Sequence, residues 1–453
     1  MTKEKILNQE EWTQEEIDLL WNQTFPFEGN DDFDEDEDPD DEDECPLFES
    51  IKFTWLVHVK DKSFHITATK GEQFTVDWGD GSDRETMTGT EYPESLSHVY
   101  PAENEYTVTI SGTTADCLLI AIDLRCNNVT NVDVSRCKSL QEMNCSGNYI
   151  ASLNLRANKA LKQLNCSEND LTTLNVSANT ALESLDCYEN KLRVLDLSAN
   201  TALESLECYF NKLTKLDLNA TTRIVFVDCS YNNLTELDLK ANKSMSKLNC
   251  NGNDLTKLDL KANKFMSTLN CGCNKLTTID ISRNKSLEYL DCNSNKLTTL
   301  DLSANSMLQE LRCSRNKLTT LDISANRDLK ELTCNDNCIA YQDIYKILTT
   351  RRRMRKEINE QSPIPKKVTT GESIALIPTR ICGRTTLYRV KKSNVFAPKS
   401  DYNIASGAIT FHKPGHYEII MSVSGVSQDD MDPDTKEDRE LYDELTAKFI
   451  VEK

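Results

Sequence analysis

The chain has 453 residues, enough for about three domains at ~150 residues each. It carries a formal net charge of −21 and 38% hydrophobic residues. The acidity makes nucleic acid a poor partner, because phosphate contacts dominate that affinity, and the low apolar content leaves part of the chain outside a packed core. No apolar run approaches the ~18–20 residues of a membrane span.

The first predicted segment is 1–48. Its start, MTKEKILNQEEWTQEEIDLLWNQ, has no apolar stretch behind a basic end and does not read as a signal peptide. A short helix is expected from Trp12 to Trp21, with Thr13 as its cap. Residues 31–44 hold twelve acidic residues and no basic ones. Such a tract buries too little apolar surface to fold, and it is expected to be disordered. Removing it leaves −21 + 12 = −9 for the rest.

Residues 49–114 alternate as strands do in FTWLVHV, EQFTVDWGDGS and YTVTIS. The trio VDWGDGS (76–82), HVY (98–100) and EYTVTI (105–110) resembles a PKD-type β-sandwich. Asn104-Glu105 departs from that family, which usually places glycine before the tyrosine.

Residues 115–345 are dominated by a 21-residue repeat. Ten cysteines, Cys145, Cys166, Cys187, Cys208, Cys229, Cys250, Cys271, Cys292, Cys313 and Cys334, keep that period, and Cys126 precedes them at a shorter interval. Three residues after each of the ten stands asparagine, and two before stands an apolar residue. In LESLDCYEN, Leu185 and Cys187 alternate with Ser184, Asp186 and Tyr188, the period of a strand with one face inside. Asn190 closes the turn with a side-chain amide that bonds backbone groups. No unit can bury its apolar face alone, so the units must stack. The unit 218–229, LNATTRIVFVDC, departs: Thr221 replaces asparagine, and Val225 and Phe226 replace polar residues.

The pattern LxxLxCxxNxL, with its nested LxxLDLSxN half, resembles the leucine-rich repeat. It is similar to the short bacterial IRREKO type and, more distantly, to the internalins. The resemblance covers roughly 116–345 and implies a curved solenoid with a parallel sheet on the concave side. The LDLS half is expected to add a second short strand or an extended turn.

YQDIYKILTTRRRMRKE, 341–357, reads as a helix with Ile344, Ile347 and Leu348 on one face, capping the last repeat. The cap and a linker marked by Pro363 and Pro365 fill 346–365. Residues 366–453 return to strands, and SDYNIASGAITFHKPGHYEIIMSV resembles bacterial immunoglobulin-like domains. Residues 429–441 read as an acidic loop. The fold class expected is mainly β, a leucine-rich-repeat solenoid flanked by two small β-sandwich-like domains.

Little in the sequence points to catalysis, a cofactor or a metal. The five histidines, His58, His65, His98, His412 and His416, lie outside the repeats. The stacked cysteines read as buried free thiols, with Cys273 as the exposed one. The series Asp196, Asp217, Asp238, Asp259, Asp280, Asp301 and Asp322 reads as turn-forming, since the glycine-rich context of calcium β-rolls is missing. The binding signal is on the predicted concave face: the aromatics Tyr188, Tyr209, Phe210, Phe226 and Tyr231 beside the acids Asp186, Glu207 and Asp228. Exposed aromatics are enriched in binding hot spots. The reading is a non-enzymatic module for adhesion-type recognition of a protein or glycan, which resemblance would place at the cell surface. An intracellular interaction scaffold is the alternative.

Overall fold

A computed structural model describes residues 48–339 without a break. Beyond them it describes 343, 347, 354–357, 366–371, 373–375, 380–381, 384–393, 395–405, 408–423 and 445–452. The helix expected at Trp12–Trp21, the acidic tract and the 429–441 loop lie outside the described residues.

Eight strands open the described chain: β1 (Ser50–Leu56), β2 (Asp61–Ala68), β3 (Gln73–Asp77), β4 (Glu85–Thr88), β5 (Glu94–Val99), β6 (Glu105–Gly112), β7 (Leu119–Asp123) and β8 (Val129–Asp133). They form one sheet in the order β4-β3-β6-β1-β8 and begin a second as β5-β2-β7. Trp55, Phe53, Phe64 and Trp78 fill the space between, meeting edge to face at 5.0–6.2 Å. The Gly79 turn has φ of 76°, and a side chain there would stand 2.3 Å from the Thr107 carbonyl, so glycine is required. Burial pushes the Asp80 carboxyl up, but bonds from Ser82 and from His98 Nε2 at 2.7 Å bring it down to about 2.

Ten strands of three residues follow, from β9 (Glu142–Asn144) and β10 (Gln163–Asn165) through β11 (Ser184–Asp186), β12 (Ser205–Glu207), β13 (Phe226–Asp228), β14 (Lys247–Asn249), β15 (Thr268–Asn270), β16 (Tyr289–Asp291) and β17 (Glu310–Arg312) to β18 (Glu331–Thr333). Each pairs in parallel with the next, one repeat on and in register. Each strand ends one residue before its cysteine, but pairing continues past it, as in Cys166 N to Asp186 O at 2.9 Å. All ten ladder thiols are fully buried, and none is in a disulfide. In one repeat Leu182, Leu185, Leu192, Leu195 and Leu197 join Cys187 in the interior. In the LDLS half the described pairing is one isolated bridge, Asp259 to Asp280; the extended turn, not a strand, is realised there.

The ladder begins one turn earlier than the cysteines. Leu124 occupies their slot, fully buried, and its N–H bonds Asn144 O at 2.7 Å as Cys145 bonds Asn165 O. Cys126 stands two residues later, exposed, in the left-handed conformation that this position takes in every turn. That conformation has φ of 46–66° at the ten later copies and costs about 1–2 kcal/mol for a residue other than glycine. The following asparagine overdetermines it. Asn211 donates to Cys187 O and Cys208 O at 2.9 and 3.2 Å and accepts from Leu192 N at 2.9 Å.

A second asparagine ladder, Asn158, Asn179, Asn200, Asn242, Asn263, Asn284, Asn305 and Asn326, is fully buried on the LDLS side. Each donates to two carbonyls of the preceding turn, as Asn200 does to Val176 and Asn179. Thr221 interrupts the row and turns its hydroxyl onto Leu218 in its own turn. Thr221→Asn should restore two bonds and raise unfolding stability by about 1 kcal/mol, read from the urea midpoint. A lower midpoint would mean that this turn does not admit the wider side chain.

The opening strands and the solenoid are one body. β7 pairs antiparallel with β2 and parallel with β9, while β8 pairs with β1. Each half of the first turn therefore extends one sheet of the sandwich, and one hydrophobic core runs from Ile51 to Met354. At the far end, Asp343 and Ile347 are helical, as expected. The helix does not continue to 357: β19 (Arg355–Glu357) pairs in parallel with β18. The open edge of the last repeat strand offers ladder hydrogen bonds that outweigh local helix preference.

The remaining strands form two sheets. One contains Arg384–Lys392, Gly415–Val423 and Leu445–Glu452; the other joins Ser373–Ala375, Tyr402–Ala405 and Ala408–Phe411. Val390, Ile409, Phe411, Tyr417 and Ile419 pack between them. Asp401 is buried there between Lys392 at 3.2 Å and Lys413 at 2.7 Å.

Candidate functional site

The in-register stack sets every side chain on the sheet face in a row with its copies. Strand alternation turns the third and first residues before each ladder cysteine, and the first after it, to that face. Asp186, Glu207 and Asp228 are paired positions on β11, β12 and β13. Adjacent members stand ~4.8 Å apart across the sheet. All three are half-buried. Burial pushes each carboxyl above its ordinary value, and the two neighbours push Glu207 further. No ion pair joins any of the three among the described residues.

The aromatics form a stacked row, where the sequence suggested freely exposed rings. Tyr188 and Tyr209 are parallel with centroids 4.3 Å apart, and Phe210 and Tyr231 are parallel at 4.4 Å. Tyr209 meets Phe210 edge on at 5.8 Å and links the two pairs. All four rings are half-buried. The pairs belong to different positions: Tyr188 and Tyr209 follow their cysteines by one, whereas Phe210 and Tyr231 occupy the left-handed position. Phe226 is not in this row. It lies three residues before Cys229, four positions up the strand from the tyrosine row and so about 13 Å away. Stacking covers ring faces, so truncating Tyr209 costs some folding stability as well as contact area, about 0.5–1.5 kcal/mol.

Two further features were not singled out in the sequence. Tyr289 stands where Phe226 does, two repeats before β18, with the Arg312 guanidinium 5.8 Å from its ring centre. A hollow of about 480 Å³ lies where the sandwich meets the solenoid, lined by His65, Asp123, Arg125, Asn144, Asn165 and Asp186 among others. Their spacing carries no signal, because β2 and β7 are brought together from more than fifty residues apart.

The aspartate series on the opposite side is committed to the backbone. Asp196 accepts from Ser198 N at 2.9 Å, and Asp217, Asp238, Asp259, Asp280, Asp301 and Asp322 accept likewise two residues on. Those backbone bonds hold Asp196 and Asp238 below their usual range. Among the described residues no group of three His, Cys, Asp or Glu side chains could hold a metal ion. His412 and His416 are both exposed.

The sheet-face acids set a pH dependence. A carboxyl raised in the folded state contributes most below its unfolded value, and that contribution is lost as pH rises through the folded value. Glu207→Gln should therefore stabilise the protein at pH 7 by a few tenths of a kcal/mol, the size of like charges opposed across strands. The gain should vanish below about pH 4. Thermal melting at the two pH values checks this; an equal gain at both would show that packing, not charge, is responsible.

No known family profile matches the chain. The solved functional domain of InlJ from Listeria monocytogenes, which includes a cysteine ladder, aligns with 74% of this chain and 81% of its own length, at 27% identity and a TM-score of 0.52. An internalin, InlF of Listeria monocytogenes strain 4b F2365, aligns with 55% of this chain and 86% of its own at 16% identity and a TM-score of 0.47. Among curated proteins, Mediator of RNA polymerase II transcription subunit 14 of Mycosarcoma maydis is 30% identical over 101 residues, which is 22% of this chain. The match spans only 7% of that protein's length. No described helix is long and apolar enough to cross a membrane. With ten stacked parallel turns, a buried cysteine ladder and that neighbour, the chain is a leucine-rich-repeat solenoid of internalin-like build.

Proposed function

We propose that the protein is a non-enzymatic binding module that takes a basic segment of a protein partner on its sheet face. The observation that carries this reading is the row Asp186, Glu207 and Asp228. Three half-buried carboxylates at adjacent strand spacing repel one another, and no cation of the described chain compensates them. A lysine- or arginine-bearing segment would relieve that repulsion. Its aliphatic stems would pack on the neighbouring Tyr188–Tyr209 stack. The role is adhesion-type recognition, with the flanking domains, PKD-like and immunoglobulin-like by their sequence motifs, as spacers.

The test is a screen of the whole chain against cell-surface and extracellular protein ectodomains, followed by titration of any partner found. Asp186→Asn with Glu207→Gln should weaken binding by about 1–2 kcal/mol and flatten its salt dependence. Tyr209→Ala should lose a similar amount. Lys257→Ala, exposed on the LDLS side, should change nothing. A partner bound equally by all four proteins would place the interface elsewhere.

A further inference from the structure

The hollow between sandwich and solenoid differs in chemistry from the acidic row beside it. Asn144 on β9 and Asn165 on β10 stand at paired positions on its floor. Each amide is oriented by its own turn. The Asn144 Oδ1 accepts from Ser146 N at 3.0 Å and Ser146 Oγ at 2.8 Å, and the Asn165 Oδ1 from Ser167 at 3.1 and 2.7 Å. Neither Nδ2 has an acceptor among the described residues. Farther along the same row, by contrast, Asn249 gives its Nδ2 to Asp228 at 2.8 Å. One strand beyond Asn165 comes the carboxylate of Asp186. The floor thus offers a donor, a donor and an acceptor, each ~4.8 Å from the next.

Charge narrows what can sit there. Asp123, Glu142 and Asp186 line the hollow, and Arg125, its main cation, is already held by Asp123. The excess of carboxylates repels an anion. The free amide donors give nothing to a cation, which is better served by the acidic row. A neutral group that both donates and accepts fits both halves, and a hydroxyl is such a group.

The aromatic stack supplies the third element. Tyr188 is its first ring. The matching position one strand earlier holds Ser167, whose hydroxyl is turned onto Asn165. Tyr209 covers one face of Tyr188, and among the described residues no ring covers the other. Tyr188 stands two residues past Asp186, which ends β11 and lines the hollow. A hollow of about 480 Å³ is within the range for a small polar ligand.

We infer that the hollow is a carbohydrate subsite, taking neutral hexopyranose units of a glycan laid across β9, β10 and β11, with one ring against the open face of Tyr188. Ring hydroxyls accept from Asn144 and Asn165 and donate to Asp186. This goes beyond the function proposed above: the ligand differs, and although Asp186 and Tyr188 border both sites, Asn165 belongs to this one alone and Glu207 to the other, so the two readings fail separately.

The test titrates the full chain with cellohexaose, chitohexaose and an α-linked mannose hexamer by calorimetry, and in parallel with a lysine-rich peptide. At least one oligosaccharide should bind with a Kd of about 1 mM or tighter. Asn165→Asp keeps the acceptor for Ser167 but replaces the donor, and Asp186 already occupies the equivalent place one turn on, so the variant should fold. It should weaken that oligosaccharide about tenfold, as should Tyr188→Ala, while Glu207→Gln leaves it unchanged. The lysine-rich peptide should be weakened by Glu207→Gln and not by Asn165→Asp. No binding of any of the three sugars, or binding indifferent to both Asn165→Asp and Tyr188→Ala, overturns the subsite. An uncharged glycine-serine peptide that binds in their place and is lost in Asn165→Asp makes the hollow a peptide groove instead.

Discussion

Asn211→Ala should cost roughly 3–5 kcal/mol of stability, more than any single surface change described above. Asn211 is fully buried. Its amide joins three backbone groups, the Cys187 and Cys208 carbonyls and the Leu192 N–H, at 2.9, 3.2 and 2.9 Å. Alanine leaves all three in an apolar interior, where each unsatisfied group costs about 1–3 kcal/mol. It also releases Phe210, whose φ of 48° is held by the turn that Asn211 closes. Because a solenoid coupled only through neighbours loses cooperativity at a weak interface, urea unfolding should both shift and broaden. A loss below about 1 kcal/mol would mean that water replaces the amide.

The second large effect is kinetic. In native protein at pH 8, a small thiol reagent should modify Cys126 and Cys273, the two exposed cysteines among the described residues, and leave the ten ladder thiols untouched. Burial pushes Cys145 and Cys334 up to about 12, and the others rise for the same reason. At pH 8 a thiol of that kind is only ~10⁻⁴ ionised, and the thiolate is the reacting species. Denaturing without reductant should expose them all at once. Fast labelling of several ladder thiols in the native state, or a shortfall in the denatured count, would contradict the buried, disulfide-free arrangement.

Much of this was legible from spacing. Cysteine, asparagine and leucine recurring every 21 residues admit one stacking, and Asn190 at the turn announces the first ladder. What spacing missed has physical causes. Leu124 fills the first ladder slot because any compact apolar side chain satisfies the slot, so a search for cysteine stops one turn short. The burial of Tyr188, Tyr209, Phe210 and Tyr231 depends on rings stacking across neighbouring turns. One turn read alone shows an outward side chain, whereas the sheet closes it against its copy. Phe226 shares the sheet face with these rings but not their stack, because residues adjacent in a list of aromatics differ in position along the strand. The hollow lined by His65 and Asn165 was beyond reach, since it exists only where two segments of unlike pattern share a sheet.

The direction of the ladder bonds bears on how the protein is made. Asn169, Asn190 and Asn211 each donate to the cysteine carbonyl of the turn before their own, and Asn179 and Asn200 reach back in the same way. Every turn therefore brings the side-chain donors that fasten it to its predecessor, while its own strand N–H groups, such as that of Cys166, present an edge that the carbonyls of the next turn complete. During synthesis the sandwich, whose sheets continue into the first turn, leaves the ribosome before the solenoid. Each turn that follows then meets a finished template, so the solenoid can grow one turn at a time in the order of translation.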